Sequence, residues 1–73
     1  MDSNMSSLSY HIETEQEADG RWIAEIADLP GVMAYGTTKE EAAAAAEALA
    51  LRVIADQIEE KKSAPPSVSF ACA

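Results

Sequence analysis

Apolar and polar residues alternate from Leu8 onward. Leu8, Tyr10, Ile12 and Thr14 fall on one side, and Ser9, His11, Glu13 and Glu15 on the other. A period of two predicts a half-buried strand. A second segment, residues 21–27, reads as another strand, with Trp22, Ala24 and Ile26 on its core face. Asp19-Gly20 marks the turn between them, and the two faces choose its length. A two-residue loop would place Ile12 and Ile26 on opposite faces, a one-residue slip that splits the core. A three-residue loop, Ala18-Asp19-Gly20, pairs Glu17 with Arg21, Glu13 with Glu25 and Ile12 with Ile26. Gly20 then takes the left-handed position that such loops commonly place last. The weak point of this register is Glu13 opposite Glu25, a like-charge pair costing from a few tenths to about 1 kcal/mol.

Asp28-Leu29-Pro30-Gly31 reads as a turn, with Pro30 fixing φ and Gly31 free to adopt φ > 0, as at the centre of a type II turn. Residues 32–37 read as a third strand ending at Gly36. The helix start is written in side-chain chemistry: Thr38-Lys39-Glu40-Glu41 fits a capping box with Thr38 as N-cap and Glu41 at the third helical position. Glu40 and Glu41 also suit the positive end of the helix dipole, and Lys61 and Lys62 the negative end. The apolar stripe is expected along Ala42, Ala45, Ala46, Leu49, Val53, Ile54 and Ile58. Residues 63–66 are a linker, and Val68 and Phe70 share one face of a short further strand. The order is βββαβ, an α+β fold in which a three-stranded antiparallel sheet packs on one helix. Residues 1–7 are small and polar and read as a mobile tail; residues 8–73 form the domain.

A chain of 73 residues buries only about 60% of its unfolded surface, so its core is marginal. Chains of this size lean on disulfides, metals or self-association. Cys72 is the single cysteine and His11 the single histidine, which removes an internal disulfide and leaves no Cys/His metal cluster. A homodimer or higher oligomer is therefore expected, with no cofactor. The net charge of −8 disfavours direct nucleic-acid binding, which needs cations to displace counterions from phosphate. It favours a basic protein partner, approached under electrostatic steering. The start of the chain lacks the basic and apolar regions of a signal peptide, and no apolar run spans a bilayer. With one unpaired cysteine, the expected location is cytoplasmic.

No catalytic constellation stands out. His11 lies on the polar side of its strand, and the serines cluster in the tail and linker. Glu13, Glu15 and Glu25 gather on the outer side of the hairpin. They suit three roles: a solvated acidic face, a docking surface for a basic partner, or a Mg²⁺-dependent nuclease centre. Tyr10 and Trp22 would stack bases only with flanking cations, which are absent, and so are assigned to the core. Ile23 and Met33 fall on the uncovered side of the sheet, where apolar residues mark a contact surface. Eleven residues follow Lys62, too few for a further DNA-binding module.

The run Asp19-Gly20-Arg21-Trp22-Ile23-Ala24-Glu25-Ile26, then Asp28-Leu29-Pro30-Gly31-Val32, then Tyr35-Gly36-Thr37-Thr38-Lys39-Glu40-Glu41-Ala42, resembles the HicB antitoxin family. Pro65-Pro66 sits where that family also has proline. The resemblance spans residues 10–68. It implies a fold like part of a ribonuclease H domain, self-association, and binding to a HicA-type toxin, a small basic RNA-cleaving protein whose active site the antitoxin blocks. The residues it carries over are structural: Gly20, Leu29, Pro30, Gly31, Gly36, Thr38 and Glu41. The function so implied is neutralisation by occlusion, with Glu13, Glu15 and Glu25 as the partner-binding candidates and no catalysis. Two rivals are a stand-alone homo-oligomeric adaptor of the same fold, and a residual metal-dependent ribonuclease that Glu13→Gln would silence.

Overall fold

The computed structural model describes residues 7–72. The elements are β1 (Leu8–Gln16), β2 (Trp22–Glu25), β3 (Met33–Gly36), α1 (Lys39–Lys61) and β4 (Val68–Cys72). The fold is α+β, with one helix and a four-stranded mixed sheet in the order β3-β2-β1-β4. Most of the expected tail, residues 1–6, lies outside the described residues.

The hairpin adopts the three-residue loop. Glu13 stands opposite Glu25, Thr14 opposite Ala24 and Gln16 opposite Trp22. The Glu17 N–H donates to the Arg21 carbonyl at 2.7 Å, closing the ladder at the loop. Gly20 has φ +95°, a conformation that costs a residue with a Cβ about 1 kcal/mol or more. Asp19 ties the loop to the second strand: one carboxylate oxygen accepts the Arg21 N–H at 3.1 Å and the other pairs with Arg21 Nε at 2.9 Å. The second strand is shorter than residues 21–27, because the chain leaves the ladder at Ile26 to turn twice. Leu29 N–H donates to Ile26 O at 3.0 Å, and Val32 N–H to Leu29 O at 3.0 Å. Gly31, at φ +85°, sits with Pro30 at the centre of the second turn, as a type II turn requires.

The sheet departs from the expected three antiparallel strands. β4 joins it as a fourth, running parallel to β1, with Leu8 against Val68, Tyr10 against Phe70 and Ile12 against Cys72. β3 is antiparallel to β2 and β2 to β1, so β3 and β4 run in the same direction at opposite edges. A parallel connection needs a long crossover, and α1 supplies it, passing over one face of the sheet. The Tyr10 and Phe70 rings stack across the parallel pair, 5.6 Å between centroids.

The core lies between that face and the helix. It contains Ile12, Ala24, Ile26, Leu29, Val32, Ala42, Ala43, Ala46, Ala50 and Ile54, with Tyr10, Trp22, Leu49, Val53 and Phe70 packed partly buried around it. Here the expected stripe is corrected. Ala45 is exposed, while Ala43 and Ala50 are buried. Five consecutive alanines carry no period of their own, so the phase of the helix is set by Leu49, Val53 and Ile54 further along. The small residues let the helix approach the sheet, and Gly36 is a point of close approach. A Cβ built on Gly36 would lie 2.5 Å from the Ala42 nitrogen and 2.9 Å from the Glu41 carbonyl carbon. Those are backbone atoms that have no room to withdraw.

Thr38 caps the helix as the sequence predicts, its Oγ1 accepting the Glu41 N–H at 3.0 Å. The reciprocal bond of the capping box is displaced by one residue. Glu41 Oε1 accepts from the N–H of Thr37 at 2.7 Å and from its hydroxyl at 2.9 Å, instead of from Thr38 N–H. The helix stops at Lys62, which is left-handed at φ 55°. No helix among the described residues is long and apolar enough to cross a membrane.

Candidate functional site

The helix covers one face of the sheet, so the side chains that alternate with the core point to the other. Cross-strand partners share a face, and the registers give its rows. Glu13, Glu25 and Met33 form one row; Glu15, Ile23 and Tyr35 form the next. His11 lies opposite Ala71 and Ser9 opposite Ser69 on the same side. The Ser9 and Ser69 hydroxyls meet at 3.2 Å.

The three carboxylates singled out from the sequence therefore come together. Glu13, Thr14, Glu15, Ile23 and Glu25 line a shallow depression on this open face. Glu13 and Glu25 are direct cross-strand partners. Like charges so placed destabilise a sheet, and among the described residues no cation lies within ion-pair reach of either. Ile23 is half-buried on this face and Met33 exposed, as expected. Tyr35 belongs with them and was not singled out, although it stands two residues from Met33 on the same strand. It is 49% exposed, and the Arg21 guanidinium lies over its ring, 4.6 Å from the centroid. Such a contact is worth about 0.5–1 kcal/mol when exposed.

Charge is segregated along the chain in the same sense. Residues 1–38 hold seven of the thirteen acidic residues but only one of the five basic ones, Arg21. Lys39, Arg52 and Lys61 are on the helix and Lys62 caps it. The open face is thus acidic on β1 and β2 and apolar toward β3, with Arg21 at its rim. A second depression, barely large enough for one water, lies between the end of the helix and the linker, at Ile54, Ile58, Lys61 and Pro65.

Two carboxyl groups are held below their usual range, and both serve the fold. Asp19 is lowered chiefly by the Arg21 N–H and further by the Arg21 side chain. Glu41 is lowered by the Thr37 N–H and then by its hydroxyl. Gly20, Leu29, Pro30, Gly31, Gly36, Thr38 and Glu41 all lie at turns, at the helix start or in the core, away from the open face. His11 is exposed. Among the described residues no group of three or more His, Cys, Asp or Glu is placed to hold a metal ion. The aromatics Tyr10 and Trp22 lie on the helix side, packed against the core. Compared with models of known protein families, with curated proteins and with solved structures, the chain matches none, so what it does rests on the residues and geometry above.

Proposed function

We propose that this chain is a HicB-like antitoxin-type binding protein that neutralises a small, basic, RNA-cleaving protein of the HicA type by covering its active site. The observation that carries the reading is the open face. An acidic cluster, Glu13, Glu15 and Glu25, with no ion-pair partner among the described residues, lies beside apolar Ile23, Met33 and Tyr35. An acidic patch on the inner strands beside an apolar edge suits a partner whose cationic surface adjoins an apolar contact. A further support is that each residue carrying the family resemblance has a definable task. Gly20 and Gly31 take positive φ, Gly36 admits the helix, Thr38 caps it and Leu29 is buried. The partial ribonuclease-H-like fold and a cytoplasmic location belong to the same proposal.

The test is co-expression with the product of the adjacent small reading frame. The reading expects a stable complex with a basic protein and loss of its RNA cleavage. Cleavage that continues at full rate with this chain in excess overturns it. A stand-alone homo-oligomeric adaptor is the second reading, favoured by the exposure of Met33 and Tyr35 at 44% and 49%. It expects self-association and no basic partner. The metal-dependent ribonuclease gains no support from the arrangement of the acidic side chains. Mg²⁺- or Mn²⁺-dependent cleavage abolished by Glu13→Gln would reinstate it.

A further inference from the structure

β3 is an edge strand, and two backbone bonds reveal which way its polar groups point. Ile26 N–H donates to Val32 O at 3.1 Å, and Glu17 N–H to Arg21 O at 2.7 Å. Bonded and non-bonded pairs alternate along an antiparallel ladder. Stepping from Ile26–Val32, the bonded pairs are Ala24–Ala34 and Trp22–Gly36. Stepping from Glu17–Arg21, Ile23 and Glu25 direct their groups toward β1. Both routes leave the N–H and C=O of Met33 and Tyr35 aimed at the open edge. The side chains of the same two residues are exposed, and the strand Met33-Ala34-Tyr35-Gly36 contains neither a charge nor a proline. Charge and proline are two of the usual guards of a free edge; at four residues β3 keeps only a third, its shortness.

We propose that β3 pairs antiparallel with β3 of a second copy of this chain, about a two-fold axis at Ala34. Opposed residues must share a face, or the two helices end up on opposite sides. Centring on Tyr35 meets that condition but sets Met33 against Thr37, whose N–H already donates to Glu41 Oε1 at 2.7 Å. Centring on Ala34 sets Met33 against Tyr35 of the second copy, and Tyr35 against its Met33. Every outward N–H and C=O of these two residues is then partnered. Each thioether meets an aromatic ring, a favourable contact. Ile23 is the neighbour of Tyr35 on β2, so Ile23, Met33 and Tyr35 of both copies merge into one apolar patch.

Charge selects this edge as well. A chain of net charge −8 resists meeting its own copy wherever carboxylates would face each other. β3 has none, and Glu13 and Glu15 lie two strands away on β1. Arg21, over the Tyr35 ring, joins a row that continues through Met33 to Glu25 of the second copy. β4, the other edge, is also uncharged but presents only Ser69 and Ala71 on the open face. The contact is isologous, as a closed dimer requires. It is also short, so the dimer is reversible and concentration-dependent. It stands whether or not the chain is an antitoxin.

The experiment is light scattering after size exclusion on the full chain across a concentration series. The mass should climb from 7.8 kDa toward twice that value. Met33→Lys and Tyr35→Lys should each hold it at the monomer, with helix content unchanged. Ala34→Cys on a Cys72→Ser background should cross-link across the axis on mild oxidation, since a directly opposed non-bonded pair lies within disulfide reach. This readout decides the matter if the lysine variants unfold. A monomer at every concentration, a dimer untouched by both lysines or dissolved only by Ser69→Lys, or an Ala34→Cys chain that does not cross-link would each overturn the proposal.

Discussion

Ile12 and Glu13 are neighbours in β1 and point to opposite faces of the sheet. Ile12 is 2% exposed beneath the helix; Glu13 is exposed and stands across from Glu25. The helix-covered face is built mainly of apolar residues, is matched to a row of alanines, and breaks no local rule. The open face breaks two. It sets carboxylate against carboxylate, and it leaves Met33 and Tyr35 in solvent at the free edge. Consistent local choices mark the parts of a chain that specify the fold, and departures mark the parts that serve something else. Stability should therefore reside on one face and binding on the other.

That division can be broken by experiment. The largest effect is expected from Ile12→Ala, which leaves a cavity in the core and should cost about 3 kcal/mol in denaturant unfolding. Glu13→Ala, one residue along, should cost nothing. Equal losses at the two positions would erase the distinction between the faces. Gly36→Ala comes next, at roughly 2 kcal/mol, because the new Cβ meets helix backbone. Thr38→Ala should cost about 1 kcal/mol through loss of the N-cap. An unchanged melting curve would mean that the helix does not depend on that hydroxyl.

The smallest effects are the most telling. Glu25→Gln removes the like-charge pair and should raise stability by a few tenths of a kcal/mol up to about 1 kcal/mol while weakening the basic partner. A substitution that stabilises the fold and harms binding is the expected signature of a surface kept for function. Acidification probes the other end of the sheet. The Glu41 carboxyl is held down by Thr37, so its contribution is fully present above the ordinary glutamate range and is lost as pH falls through its lowered folded value. Glu41→Gln should flatten that acid-side decline in melting temperature, and Asp19→Asn should flatten it further. Neither should alter the slope above about pH 6, where both carboxyls are ionised.

The hairpin register was legible because two apolar faces had to coincide, and only a three-residue loop allowed it. The helix start was legible because Thr38 and Glu41 announce their bonds by type and spacing. The displaced partner of Glu41 was not, since Thr37 and Thr38 offer the same donor one residue apart. The helix phase was misplaced at Ala45 because alanine fits either side. The parallel seat of β4 against β1 is a pairing of residues about sixty positions apart, and no local pattern encodes it. At the open face the alternation placed Glu13, Glu15, Ile23 and Met33 correctly. Tyr35 was implied by the same alternation, but its contact with Arg21 depends on how the loop folds back.

The proposed role places the basic partner on the acidic open face. The most direct measurement is calorimetric titration of a HicA-type RNA-cleaving protein into the wild-type chain and into Glu13→Lys/Glu25→Lys, each first shown to be folded. At least tenfold weaker binding is expected for the double variant, about 1.4 kcal/mol, with a wild-type affinity that falls as salt is raised. Equal affinity for both chains at low salt would contradict it.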